Sequence, residues 1–140
     1  GLIDLWRARG DGSGPPLRSH FDPFTLRPWL GHVSIAEAVD GGEDFVTRLD
    51  GSEIVRLTGD DWTGLRASEI DARYGIRYRA ILRDACGSDE PTVNRFVTSV
   101  QKDTVSFQRV LLPVREERRE VRQLIIGIYP VSRAAAPGWF

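Results

Sequence analysis

Residues 92 to 131 hold three strand-length, β-rich runs in succession, and backbone of that kind satisfies its hydrogen bonds by pairing into a sheet. Thr92 to Val100 carries Val93, Phe96, Val97 and Val100; Thr104 to Val114 carries Phe107, Val110, Leu111 and Leu112. Val121 to Val131 carries Leu124, Ile125, Ile126 and Ile128. This last run is the most apolar, the mark of a strand covered on both faces, and is predicted to lie at the centre. The charged stretch Glu116 to Glu120 reads as a solvated hairpin turn.

A second strand pair comes earlier. His32 to Val39 sets Val33 and Ile35 against Ser34 and Ala36. Asp40-Gly41-Gly42 supplies a turn, and Asp44 to Leu49 is the return strand of a hairpin. Ser52 opens a helix through Ile54, Val55 and Leu57, with Gly59 suited to a left-handed C-cap because it lacks a Cβ. Gly64 permits a tight turn after Trp62. Ser68 reads as the cap of a single turn through Ile70. A longer helix is predicted from Ala72 or Arg73 to Cys86, with Ile76, Ala80, Leu82 or Ile81, and Ala85 inward, closed by Gly87 to Pro91. Two strands, a helical crossover and three meander strands define an α+β class: one antiparallel sheet with helices over one face. The other face needs cover wherever it is apolar.

The N-terminal third supplies a candidate cover. Leu2, Leu5 and Trp6 mark one face of a short helix, which Gly10 to Pro16 stops. A helix this short is unstable alone, so it must dock on its own domain or on a partner subunit. Asp22-Pro23 starts another, with Asp as N-cap and Pro at the first helical position; Phe24, Leu26, Trp29 and Leu30 are its anchors. The expected division is an N-terminal helical extension (1–31), the sheet domain (32–131) and a C-terminal tail (132–140). Trp139 and Phe140 would pack if that tail is tethered. The chain starts at Gly1 and contains no methionine, so it is expected to be trimmed from a longer protein.

Composition narrows the role. Of the 140 residues, 41% are hydrophobic and 28% charged, a globular balance. Nineteen basic against twenty acidic side chains leave a net charge of −1, which gives no reason to expect a nucleic-acid partner. Cys86 is the single cysteine, so no intrachain disulfide forms; a reducing, cytoplasmic setting is the expectation. No apolar stretch approaches the roughly 20 residues a bilayer span needs, and no membrane partner is expected.

Several segments, taken in order, carry a resemblance. They are Leu5-Trp6-Arg7, Pro16-Leu17-Arg18, Phe21-Asp22-Pro23, Leu30, Phe45 to Leu49 with Gly51, Leu57 to Gly64, and Leu111-Leu112-Pro113. Over most of Leu2 to Tyr129 the chain resembles the PAS superfamily, in particular its bacterial branch of short stand-alone domains with a Trp-containing leading helix. The resemblance implies sheet order 2-1-5-4-3, a cleft between sheet and connecting helices, and signalling through small ligands or protein contacts. Haem-binding relatives place an axial histidine on the long helix; Ala72 to Cys86 has none, and His20 and His32 lie upstream. Flavin photosensors use a cysteine in an Asn-Cys-Arg-Phe type motif. Leu65 to Asp71 has neither the motif nor a cysteine, and Cys86 falls at the far end of the next helix. The comparison argues against haem and against a covalent flavin adduct, and leaves any cofactor unassigned.

Direct reading of the polar residues points the same way. His20, His32 and Cys86 lack metal-site spacing, and no acid, base and nucleophile can be grouped into an enzyme site. Asp60-Asp61 reads as a turn that caps the following backbone. Gly10, Gly12 and Gly14 follow a helix and lack a lysine, so they do not form a phosphate loop. Arg48, Arg95 and Arg109 interrupt apolar alternations, and Arg79 sits on the long helix. Any that point into the cleft could clamp a carboxylate or phosphate; the alternative is solvent, or pairing with Asp50, Glu53 or Asp84. Tyr74 and Tyr78, four apart, with Trp62, are candidates for the cleft wall or for core packing. Trp6 and Trp29 form an expected apolar patch, and a homodimer is expected through Leu2, Leu5 and Trp6. The expected function is a noncatalytic sensory or regulatory module; the alternative is a ligand-free interaction adaptor acting through dimerisation.

Overall fold

A computed structural model describes residues 1–100, 102–116 and 122–131. The charged turn from residue 117 onward and the C-terminal tail, with Trp139 and Phe140, lie outside the described residues. Five strands, β1 (Val33–Val39), β2 (Asp44–Asp50), β3 (Thr92–Val100), β4 (Asp103–Arg115) and β5 (Arg122–Pro130), form one antiparallel sheet in the order β2-β1-β5-β4-β3. Five α-helices accompany it: α1 (Leu2–Arg9), α2 (Pro23–Leu26), α3 (Ser52–Thr58), α4 (Ala67–Tyr74) and α5 (Tyr78–Gly87). Class, strand order and N-terminal helix are those expected from the sequence.

β5 is central for the reason its sequence suggests: Leu124, Ile125 and Ile126 are all fully buried, on alternating faces. One face joins Val33, Ile35, Val110, Leu112, Val114 and Ile125 to Leu2, Trp6, Phe21 and Leu26. The other joins Ala36, Phe45, Leu111, Leu124 and Ile126 to Ala67, Ile70, Tyr78, Leu82 and Ala85 of the crossover helices. Asp40, Gly41 and Gly42 all take positive φ in the hairpin turn between β1 and β2.

The leading helix docks on its own sheet. Gly127 leaves the hole: a Cβ there would lie 2.7 Å from Leu2 Cδ1. Trp6 is buried, and its indole Nε1 donates to the Pro113 carbonyl at 2.7 Å. Trp29 packs half-buried against the same cluster. Leu2 and Trp6, expected at a dimer surface, are thus covered by their own chain, whereas Leu5 and Ile3 keep partial exposure. Beyond the end of β3, residues Pro15 to Leu17 take over the free edge of β4. Arg115 donates from its backbone to Pro16 O at 2.9 Å and from Nε to Pro15 O at 2.8 Å. Pro113 fits in this strand because it sits where no β3 partner remains.

The single long helix expected over Ala72 to Cys86 is two helices. α4 ends at Gly75 (φ 64°, ψ 39°), a left-handed C-cap, and α5 starts three residues later. The α5 start is capped from a distance: Asp71 Oδ1 accepts from the Tyr78 backbone N–H at 2.6 Å, and Oδ2 from that of Arg79 at 3.2 Å. Ser68 is not the N-cap of α4 either, a position held by Arg66. Ser68 instead donates from Oγ to Asp44 Oδ2 at 2.6 Å and from its backbone to Asp44 Oδ1 at 3.2 Å. Burial acts to raise the Asp44 carboxyl, but hydrogen bonds from Ser68 and Phe45, with Arg66 nearby, outweigh it and hold the pKa below its ordinary value.

Gly51 fixes where α3 leaves β2. A Cβ at Gly51 would lie 2.4 Å from Gly31 O and 2.8 Å from Val33 O, both backbone atoms. Gly51→Ala is expected to lower stability by about 1–3 kcal/mol, measured by urea denaturation; an unchanged midpoint contradicts this packing. Because the folded pKa of Asp44 is depressed, its contribution is present above the unfolded value and lost as pH falls through the folded one. The stability gap between the native chain and Asp44→Asn should therefore close on acidification from neutral pH, and a gap independent of pH would refute the assignment.

Candidate functional site

Between the crossover helices and the β3–β4 half of the sheet lies a cavity of about 360 Å³. Cross-strand partners Phe96 and Phe107 stack on its floor with ring centroids 5.2 Å apart. Ile128 of β5 continues that floor, and Ile54 of α3 contributes to the wall. Trp62, from the glycine-bounded segment after α3, meets the rings of Tyr74 and Tyr78 at centroid distances of 5.5 and 5.6 Å. Trp62 is held through its backbone N–H, which donates to Asp50 Oδ2 at 3.1 Å, and its Nε1 donates to Tyr74 Oη at 3.4 Å. Tyr74 in turn donates to the Asp60 carboxylate.

Arg109 is the charged group at the centre. Two residues before Leu111 on β4, it faces the helices and is only 7% exposed. Its guanidinium carbon lies 4.3 Å from the Phe96 ring centroid and 5.5 Å from that of Tyr78. These cation–π contacts offset part of its desolvation, but Nε and Nη1 have no hydrogen-bond partner among the described residues. The Oδ1 of Asn94, its cross-strand neighbour, is also buried without a partner, so that side chain does not satisfy the guanidinium. Burial pushes the Arg109 pKa down. Burial pushes Tyr78 up to about 12, so its hydroxyl stays protonated and able to donate near neutrality. Asp50, also lining the cavity, is raised by burial.

Of the residues singled out from sequence, the fold brings Trp62, Tyr74, Tyr78 and Arg109 together around this cavity. Arg48, Arg79 and Arg95 do not line it. Arg48 is the extra residue of a β-bulge opposite Ile35 and Ala36, and pairs with Glu37 at 2.6 Å. Strand alternation sends Arg95 to the opposite face from its neighbour Phe96, where it is exposed. Arg79 is engaged through its backbone by Asp71. Tyr74 and Tyr78 share the cavity although the break at Gly75 puts them on different helices. Sequence reasoning missed Asp50, Ile54, Phe96, Phe107 and Ile128. The Phe96–Phe107 pair was legible only through the β3–β4 register. His32 stacks on Tyr129 at 4.3 Å and its Nδ1 meets Ile128 O at 3.1 Å, while His20 Nδ1 lies 3.4 Å from Arg9 O.

An antiparallel sheet in this order, with crossover helices enclosing a cavity over one face, defines the PAS class of fold. A sequence model of the PAS domain family matches residues 1–129, the leading helix included, and the chain belongs to that family. It is a PAS domain, a member of a class of sensory and regulatory modules. No curated protein matches the chain.

The raised pKa of Asp50 carries a stability consequence of opposite sign to that of Asp44. Its ionised form is disfavoured by the fold, so stability is lost as pH rises from the unfolded value through the folded one. Asp50→Asn should match or exceed the native melting temperature at neutral pH, an advantage that disappears below the carboxylate range. A variant markedly less stable at neutral pH would show that the charge itself holds Trp62.

Proposed function

We propose that this PAS domain is a noncatalytic sensory module of bacterial signalling whose cavity takes up a small ligand. The observation that carries the reading is the cavity itself: several hundred Å³, walled by aromatic rings, with Arg109, Asp50 and Tyr78 converging on it. A ligand-free adaptor is expected to fill that volume with its own side chains; the described residues leave about 360 Å³ between helices and sheet, which supports the ligand reading.

A route for the signal follows from strand alternation. Ile128 and Arg109 line the cavity on one side of the sheet. Their chain neighbours Gly127 and Val110, paired across β5 and β4, meet α1 on the other. A ligand that repositions the cavity floor shifts the seat of Leu2, and with it α1. Such a shift requires different ligand affinities in the two positions of the helix. A homodimer over α1 would read that movement, using Leu5 and Ile3 because Leu2 and Trp6 face their own core. The setting proposed is cytoplasmic, without a nucleic-acid partner. No helix among the described residues is long and apolar enough to cross a membrane.

Native mass spectrometry of gently purified protein reports ligand and oligomeric state together. The expected spectrum shows a dimer carrying a small-molecule mass that Ile128→Trp, which fills the cavity, removes. A bare chain whose melting temperature is also indifferent to small aromatic solutes would sink ligand sensing. A bare dimer would restore the adaptor.

A further inference from the structure

We propose that the ligand of this cavity is a small aromatic monocarboxylate, with Arg109 as its anion anchor. This rests on the cavity being a ligand site and adds the chemical class.

A guanidinium removed from water needs acceptors and a counter-charge, and leaving it without them is costly. Arg109 is 93% covered and makes no ion pair among the described residues, and two of its nitrogens lack an acceptor. The carboxylate sharing the cavity, Asp50, accepts instead from the Trp62 backbone. Asn94 leaves its own Oδ1 unsatisfied rather than serving the arginine. Tyr78 and Phe96 present ring faces, which attract a cation without using its N–H groups. No described residue supplies the missing acceptor with negative charge, and a bound anion would.

The surroundings choose the class of anion. Arg109 is the one cation among the cavity's buried side chains; Arg77, the other arginine on the lining, is exposed at the wall. One buried guanidinium matches one negative charge, so a single carboxylate suits the cavity better than a dianionic phosphate. A carboxylate also fits the planar donor fork of arginine. The rest of the lining includes Trp62, Tyr74, Tyr78, Phe96, Phe107 and aliphatic side chains, with Ser34, Thr58, Thr98 and Ser99 among them, and its aromatic part suits a flat aromatic body.

The test compares two probes of one shape, 2-naphthaleneacetate and its neutral amide, by calorimetry with the shift in melting temperature as a second readout. The acid should bind about 10- to 100-fold more tightly than the amide, the range for hydrogen bonds to a charged group. In Arg109→Met that preference should vanish. The same substitution replaces an unpaired buried charge with an apolar side chain of similar length, so the ligand-free variant should melt no lower than the native protein. Equal binding of acid and amide by the native chain overturns the carboxylate assignment while leaving a ligand cavity in place. A preference that survives in Arg109→Met overturns the role of Arg109. Binding of neither probe at millimolar concentration overturns the proposed class of ligand, and the native mass spectrum separately decides whether the cavity is a receptor. Inorganic phosphate serves as the competing arm: displacement of the acid by phosphate would reassign the site to phosphate.

Discussion

The central strand is apolar on both faces, and the rest of the structure answers that constraint. Leu124 and Ile126 turn toward the crossover helices, while Ile125 and Gly127 turn toward the N-terminal segment. A sheet with two apolar faces needs two covering layers, and among the described residues the first 31 supply the second. The leading helix is therefore part of the core. Removing the contact between Leu2 and Gly127 would open the centre of the sheet to water.

The two halves of the helix-facing side differ. Under α4 and α5, near β1 and β5, the sheet offers Ala36, Leu124 and Ile126, and the layers close. Toward β3 it offers Phe96, Phe107 and Arg109, bulky and partly polar groups that no helix covers completely, and a cavity remains. The break at Gly75 contributes, because it turns Tyr78 inward from a new helix start while Tyr74 stays at the rim with 39% of its surface exposed. A buried cation with two nitrogens unpartnered among the described residues runs against stability, and its place on the cavity wall supports the ligand site proposed above.

Much of the fold was legible because its signals are local. Alternation at Val33 and Ile35, the run Leu124 to Ile126, and Asp22 before Pro23 each act within a few residues of chain. The errors arose where a partner distant in sequence decides. Asp71 caps α5 from six residues before its N-cap, and Asp44 draws Ser68 away from capping its own helix. Neither contact leaves a mark on hydrophobic periodicity, which runs through Gly75 as though α4 and α5 were one helix. The arginines show the same limit. Arg48, Arg95 and Arg109 look alike in sequence, yet a bulge, a strand face and a cavity separate them.

The sequence by itself determined the α+β class, the five strands, the central place of the last one and the need for a terminal cover, because hydrophobic period and burial act on every local window. Only the tertiary structure decided which arginine is enclosed, that Leu2 and Trp6 face their own sheet, and that rings from β3, β4, α4 and α5 meet around one space. Those outcomes depend on register and on the distance between layers. Both are properties of the assembled sheet, and no single segment carries them.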